Sequence, residues 1–363
     1  MLNQNSYLSQ SHYKVLIVDD DDYHRKLEKS ILTPAEYDVT EACSGKEALK
    51  CLEEGEFDVV LMDKRMPEMS GDEACKQIRK NPQHKFLPII MVTASNSRED
   101  LSASLNAGAT DFIRKPYNVT ELTARMKSAV SQKRLIDQLD SAESMLFTLA
   151  RMVEAKDPCT GDHCSRLQHI VTVFGEELDL DHQQMVDLRR GGVLHDIGKL
   201  GIPDSILLKQ TKLNDREWDV MKQHTIIGTK ICGNLNCMRG TLPIIRSHHE
   251  KWNGSGYPDK LAGKDIPLLA RVFQIADVYD ALLSERPYKV ALSKEQTISI
   301  LKSETENGWR DPELMSIFIT LLEHSSTSLE YMPSASDFFL DVSNPVVSAY
   351  KALEEEDLLA YKI

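Results

Sequence analysis

Seven imidazole and carboxylate side chains between residues 163 and 277 have a pattern that suits metal ions. His195 and Asp196 are adjacent near the end of an apolar stretch, GGVLHDIGK. His224 lies in the helical segment REWDVMKQHTIIG, and the adjacent His248 and His249 precede a loop, EKWNGSGYPD. Asp277 sits in an apolar helix, ARVFQIADVYDAL, and His163 begins a helix after PCTG and Asp162. Imidazole together with carboxylate suits iron, manganese or zinc. One carboxylate can bridge two metals while each metal takes several imidazoles, and two ions roughly 3.5–4 Å apart can clamp a phosphodiester for in-line attack by hydroxide. Adjacent His-Asp and His-His pairs are useful where a helix ends, because neighbouring side chains then diverge toward different ions. A histidine outside such a set is ordinarily a satisfied buried or surface residue, and His169, His182 and His324 are read that way.

A second set lies in the first third. Asp19, Asp20, Asp63, Thr93 and Lys115 each follow a short apolar run. Carboxylates converging at one sheet edge repel one another unless a hard cation such as Mg²⁺ sits among them. A carboxylate so placed can act as nucleophile toward a phosphoryl group, and a hydroxyl with a lysine can hold the transferred oxygens. Asp63 is then the candidate phospho-acceptor, Asp19 and Asp20 the Mg²⁺ ligands, and Thr93 and Lys115 the groups that read the phosphoryl oxygens.

The elements that must position these residues are legible. Residues 14–130 alternate apolar runs with helical stretches: KVLIV, YDVTEA, VVLM, PIIMV and DFI. That alternation predicts an α/β fold, a five-stranded parallel sheet covered by helices, which binds ligands at the C-terminal ends of its strands. Asn118 with Glu121 reads as a helix cap. From there to about Asp157 neither Gly nor Pro intervenes. Apolar residues at Leu139, Ala142, Leu146, Leu149 and Val153 step by three and four, a heptad seam that pairs with a second copy of the chain or packs on its own chain. Residues 151–325 read as all-α. The expected organisation is a disordered N-terminus over 1–12, a first domain over 13–130, a helical linker over 131–150, a second domain over 151–325 and a helical C-terminal extension over 326–363.

Composition narrows the possibilities. Forty-three basic against 56 acidic residues leave a net charge of −13, which argues against general binding to duplex nucleic acid. An anionic substrate must be drawn in by metals or by a few local Lys and Arg. The seven cysteines are scattered and odd in number, which argues against a disulfide framework. No apolar run approaches the ~20 residues needed to span a membrane, and the first residues lack a signal-peptide pattern. A cytoplasmic location is expected. No Ser-His or Cys-His nucleophile and no P-loop is evident.

Two resemblances sharpen these expectations. The pieces VLIVDDD, LMDKRMPEMSG, MVTA and FIRKP resemble the receiver domains of bacterial response regulators, in the expected order and spacing, with Phe112 at the family's aromatic switch position. That resemblance implies a doubly wound α/β domain phosphorylated by a partner histidine kinase. The set HDIGKLGIPD, HHEKWNGSGYP and IADVYDALLSERPYK is similar to the HD-GYP branch of the HD phosphohydrolases, over residues 154–292. That resemblance implies an all-α domain and a substrate, cyclic di-GMP, opened to pGpG and in some members cut to GMP. It implies that His163, His195, Asp196, His224, His248, His249 and Asp277 ligate metal, with Asp196 bridging. It also implies that Lys199, Gly256, Tyr257, Asp280, Arg286 and Lys289 surround the substrate, with Asp196 and Lys199 as the catalytic pair.

Cys159 stands where some members of that family place a carboxylate that holds a third metal. Two transition metals, iron or manganese, are therefore expected, with Cys159 or Cys164 as a soft extra donor the alternative. The function implied is a phosphorylation-controlled cyclic di-GMP phosphodiesterase, with diguanylate cyclase or effector partners and a homodimer among the associations to consider. The alternatives are a catalytically weak cyclic di-GMP sensor or adaptor, and a hydrolase of another cyclic dinucleotide.

Overall fold

The computed structural model describes residues 13–35, 37–95, 97–156, 163–284 and 291–324. Residues 1–12 and 326–363, Cys159, Asp162, Arg286 and Lys289 lie outside the described residues. The chain divides into two compact units, Met1–Leu139 and Asp140–Ile363.

The first unit alternates strands and helices: β1 Tyr13–Val18, α1 Asp22–Leu32, β2 Tyr37–Ala42, α2 Gly45–Glu54, β3 Val59–Asp63, α3 Gly71–Lys80, β4 Ile89–Thr93, α4 Arg98–Asn106 and β5 Asp111–Arg114. The five strands form one parallel sheet in the order β2-β1-β3-β4-β5. The expected fold class is the observed one. The strands are apolar on both faces because both are covered. Leu16, Val18, Val60, Met62 and Met91 pack on one side with Ala74 and Ile78 of α3. Val15, Ile17, Leu61, Ile90 and Val92 pack on the other with Leu122 and Met126. Val18 pairs with Met62 and Asp63 with Val92, so Asp19 and Asp63 follow their strands at one edge of the sheet. Ser44, Ser70 and Ser97 cap α2, α3 and α4 through their side chains, satisfying amide groups that a helix start otherwise leaves unpaired.

A 38-residue helix, α5 Val119–Lys156, follows. Its start is fixed by Asn118, whose side chain accepts from the Glu121 amide at 2.7 Å. Within the second unit, Phe147, Ala150 and Val153 of α5 are buried with Val193, Leu194 and Ile197, and Leu146 and Leu149 pack on that cluster. The lower half of the expected heptad seam is thus satisfied by its own chain, while Leu135 and Leu139 are exposed. Phe147 supplies an aromatic anchor off the seam that the three–four stepping does not single out. Glu143, also on α5, is buried and takes both Nε (2.8 Å) and Nη2 (3.1 Å) of Arg190.

The rest of the second unit is helical: α6 His163–Glu177, α7 His182–Leu194, α8 Asp204–Leu207, α9 Asp215–Met221, α10 His224–Cys232, α11 Leu242–Ser247, α12 Leu268–Leu283, α13 Lys294–Glu306 and α14 Pro312–His324. Its main core joins α6, α12 and α14 through Phe174, Phe273, Tyr279 and Phe318, with the Phe174 and Phe318 rings 4.8 Å apart. That core fixes the helices whose ends carry the chemistry. Among the described residues no helix is long and apolar enough to cross a membrane.

Candidate functional site

Each expected metal-ligating side chain of the second unit stands at or near a helix end, apart from Asp277. His163 is the first residue of α6, and His195 and Asp196 follow α7. A 3₁₀ turn, Ile197–Gly201, then presses against α10. A Cβ at Gly198 would lie 1.8 Å from the His224 carbonyl oxygen. Only glycine permits that approach, which sets the His195-Asp196 pair beside His224. His248 and His249 follow α11, and Asp277 lies within α12.

These elements bring the seven residues into two groups. Asp196, His224, His248 and His249 form one; His163, His195 and Asp277 form the other; within each group the candidate donor atoms lie within 4.8 Å of one another. Asp196 faces both. Its Oδ1 is 3.4 Å from His224 Nε2, and its Oδ2 is 3.3 Å from His195 Nε2.

The donor set is prepared for cations. His224 has Nδ1 2.8 Å from the Met221 carbonyl, and His248 has Nδ1 3.1 Å from the carbonyls of Ile244 and Ile245. Those partners place a proton on each Nδ1 and a lone pair on each Nε2. The two Nε2 atoms are 3.5 Å apart, lone pair toward lone pair. Two acceptors so close repel unless a cation lies between or beside them, and this geometry fits metal. A ligating imidazole must be neutral. Burial, with neighbouring imidazoles, holds His248 well below the ordinary histidine range and His249 at about 4. His195 goes the other way, since burial would lower its pKa and Asp196 outweighs burial. Asp196 is driven well below the usual carboxylate range: burial opposes its ionisation, and Lys199, His195 and His224 outweigh it.

A second layer supports the donors. Asp280 is buried, with Oδ2 2.6 Å from His163 Nδ1, while Arg166 donates to it from Nε (2.6 Å) and Nη2 (3.1 Å). This leaves His163 Nε2 turned toward Asp277, 3.7 Å away. The buried Glu250 accepts from the amides of Asp259 (2.7 Å) and Leu261 (3.1 Å), pinning the Gly256-Tyr257-Pro258 loop. A Cβ on Gly256 would lie 2.3 Å from the Lys251 amide nitrogen, so this glycine is what lets the loop close on the backbone after His249. Tyr257 then stacks on His249, with centroids 4.8 Å apart and rings inclined by 30°.

A pocket of about 400 Å³ opens onto both groups, within the range of small-molecule sites. Besides the donors it is lined by Lys199, Tyr257, Glu154 and Cys164 and by an apolar wall that includes Trp218. Lys199 Nζ is 2.8 Å from Asp196 Oδ2. Of the residues expected around substrate, Asp280 is buried and hydrogen-bonded to His163, and Gly256 is packed against the chain at Glu250 and Lys251. Arg166 and Glu250 escaped the sequence reading. Glu250 adjoins the His248-His249 pair, a usable signal, whereas Arg166 meets its partner 114 residues away.

In the first unit Lys115 Nζ reaches Asp63 Oδ1 (2.6 Å), Asp19 Oδ2 (2.7 Å) and His24 Nδ1 (3.1 Å). Burial disfavours this ammonium, and the two carboxylates outweigh burial, so its pKa lies above the ordinary lysine value. Asp63 Oδ2 accepts from the Arg65 amide at 2.7 Å. Asp20 is exposed, and Thr93 is buried with its hydroxyl oxygen accepting from the Ser95 amide at 3.0 Å. Phe112 is half-buried, with the Arg125 guanidinium 5.7 Å from its centroid. His24, on α1, was not singled out from sequence.

Comparison with known proteins places both units. A family model described as the response regulator receiver domain matches residues 15–127, and one described as the HD domain matches residues 148–314. A probable cyclic di-GMP phosphodiesterase of Vibrio cholerae is 36% identical over 85% of this chain and 78% of its own length. The cyclic di-GMP phosphodiesterase response regulator RpfG of Xanthomonas campestris is 35% identical, over 80% of this chain and 83% of that protein. A cyclic di-GMP phosphodiesterase of Thermotoga maritima is 32% identical, over 85% and 90% respectively.

Proposed function

As the chain belongs to the response-regulator family of HD-domain cyclic di-GMP phosphodiesterases, we propose that it hydrolyses cyclic di-GMP at a two-metal centre under the control of phosphorylation at Asp63. The observation that carries this reading is the placement of Asp196, one carboxylate oxygen toward each donor group. In this reading Asp196, His224, His248 and His249 hold one ion, and Asp196, His163, His195 and Asp277 hold the other. The metals, iron or manganese, supply water activation and neutralise phosphate charge.

The chain's own residues do the rest. Water oxygen bonds to phosphorus as the bond to a ribose 3′ oxygen breaks, which opens the ring to pGpG; a second cleavage yields GMP. Lys199 lines the pocket beside Asp196 and holds a phosphate oxygen. The resemblance gives Arg286 and Lys289 the same work. Tyr257 closes the site over His249 and limits water. Asp280, Arg166 and Glu250 keep the ligands and the loop in place.

In the first unit a cognate histidine kinase supplies the phosphoryl group, Asp19 and Asp20 hold Mg²⁺, and Lys115, Thr93 and Phe112 respond to the modified Asp63. The domain limits expected from sequence are retained in this reading, with α5 as the helical connection.

The test is direct. Protein stripped of metal and reloaded anaerobically with Fe²⁺ or Mn²⁺ is incubated with cyclic di-GMP and the products are separated by chromatography. pGpG or GMP is expected. Tight binding without turnover would instead make the protein a cyclic di-GMP sensor.

A further inference from the structure

The pocket is also lined by apolar side chains that have no use for phosphate. Trp218 is 46% exposed, yet its indole lines the same pocket as Asp196, His224 and Lys199. Leu207, Leu213 and Met221 continue the apolar surface around it. A large ring left half open on a short helix loses much of the benefit of burial, so its place at the pocket needs a partner. The wall is also held stiffly. Asn214 and Glu217 form a capping box at the start of α9, with the Glu217 amide donating to Asn214 Oδ1 at 3.0 Å and the Asn214 amide to Glu217 Oε2 at 2.8 Å. Lys209 Nζ lies 2.6 Å from both Glu217 oxygens and ties the preceding loop to the helix. One turn beyond Trp218, Met221 gives its carbonyl to His224 Nδ1. The backbone that carries Trp218 is therefore fixed one helical turn from the residue that orients a donor.

Resting on the function proposed above, we infer that Trp218 is a stacking platform for one purine base of the substrate. A cyclic dinucleotide presents anionic phosphate and flat, weakly polar bases side by side. The pocket lining has the matching mixture: imidazoles, carboxylates and Lys199 together with an indole and aliphatic side chains. Stacking tolerates any base because every base has a π-face, and its loss costs about 1–3 kcal/mol per base. Trp218 thus serves substrate affinity and places the scissile phosphate, whereas bond cleavage belongs to the donors and Lys199.

Trp218→Ala and Trp218→Phe, both loaded with Mn²⁺, are compared with wild type on cyclic di-GMP and on bis(2,2,2-trifluoroethyl) phosphate, a diester with no flat ring to stack. Trp218→Ala should lose roughly 10- to 100-fold in kcat/KM on cyclic di-GMP, carried by KM. It should keep its metal content and its rate on the simple diester, and Trp218→Phe should recover most of the loss. Equal losses on both diesters, or loss of metal, would mean that Trp218 only shapes the wall and would overturn the inference. Equilibrium binding of pGpG gives a readout independent of turnover. If the wild type fails to cleave cyclic di-GMP, the functional reading falls, while equal pGpG affinity in wild type and Trp218→Ala overturns the platform by itself.

Discussion

Nδ1 of His163 lies 2.6 Å from Oδ2 of Asp280, so the ring is oriented from behind by a carboxylate that is itself held by Arg166. An acid–imidazole pair of this kind fixes the tautomer and makes the opposite ring nitrogen a better donor. Arg166 also donates to Ser284 Oγ at 2.8 Å, at the C-terminal end of α12.

Arg166→Ala should therefore weaken metal binding without removing any donor. Partners of this kind are worth roughly 10–100-fold in metal affinity. Competition titration with a chromophoric chelator and Mn²⁺ measures it directly. An unchanged affinity would reduce the Arg166–Asp280 pair to a structural ion pair.

The shared position of Asp196 predicts the stoichiometry. Elemental analysis should find two transition-metal ions per chain, and Asp196→Ala should lower occupancy of both. His248→Ala should lose occupancy mainly in the group that contains His224 and His249. A third stoichiometric ion would show that a further donor has been overlooked.

Phosphorylation should depend on one residue. Asp63 is the carboxylate that meets Lys115 at the end of β3, with Asp19 on the other side of the same ammonium. Asp63→Asn keeps the size and removes the nucleophile, so incubation with acetyl phosphate and Mg²⁺ should yield acid-labile phosphate in the wild type alone. Equal labelling of the variant would move the acceptor elsewhere.

A buried acid behind that site makes stability fall with pH. Glu28 is 1% exposed and hydrogen-bonded by the Tyr117 hydroxyl at 2.6 Å. Burial raises its pKa from 4.5 to about 7, with Tyr117 opposing the shift and Asp19 adding to it. The folded chain then holds this proton more tightly than the unfolded chain, so stability is lost as pH rises from about 4.5 to about 7, and the full cost, on the order of 3 kcal/mol, is present above that. Glu28→Gln, a neutral isostere, should melt at a higher temperature than wild type at pH 8 and show little gain at pH 5. A gain confined to pH 5 would reverse the sign and sink the assignment.

Much of this protein is written in local sequence. The five strands are short apolar runs because a parallel sheet is buried on both faces, so VLIV and PIIMV declare themselves without knowledge of their partners. The acids and Lys115 follow those runs in chain order, and strand order alone gathers them at one edge. In the second unit the adjacent pairs His195-Asp196 and His248-His249 mark the candidate metal-binding groups, because few other needs put such residues side by side. The start of α5 is equally local, since Asn118 needs only the amide of Glu121.

What the tertiary structure decided is whatever depends on residues far apart in the chain. Asp280 lies three residues beyond Asp277 on the same helix, and spacing by itself cannot tell which partner such an acid meets; the partner is His163, 117 residues earlier. Gly256 reads as a substrate-loop glycine, and only the backbone of Glu250 and Lys251 pressed against it gives the steric reason for its place. The apolar seam of α5 left open a partner chain or its own, and the burial of Val153, with Leu146 and Leu149 packed on the cluster of Val193 and Leu194, settled its lower half. A residue's type fixes which interactions it is able to make. Which of them it makes depends on long-range packing, because hydrogen bonds and close contacts act over a few ångströms whatever the separation along the chain.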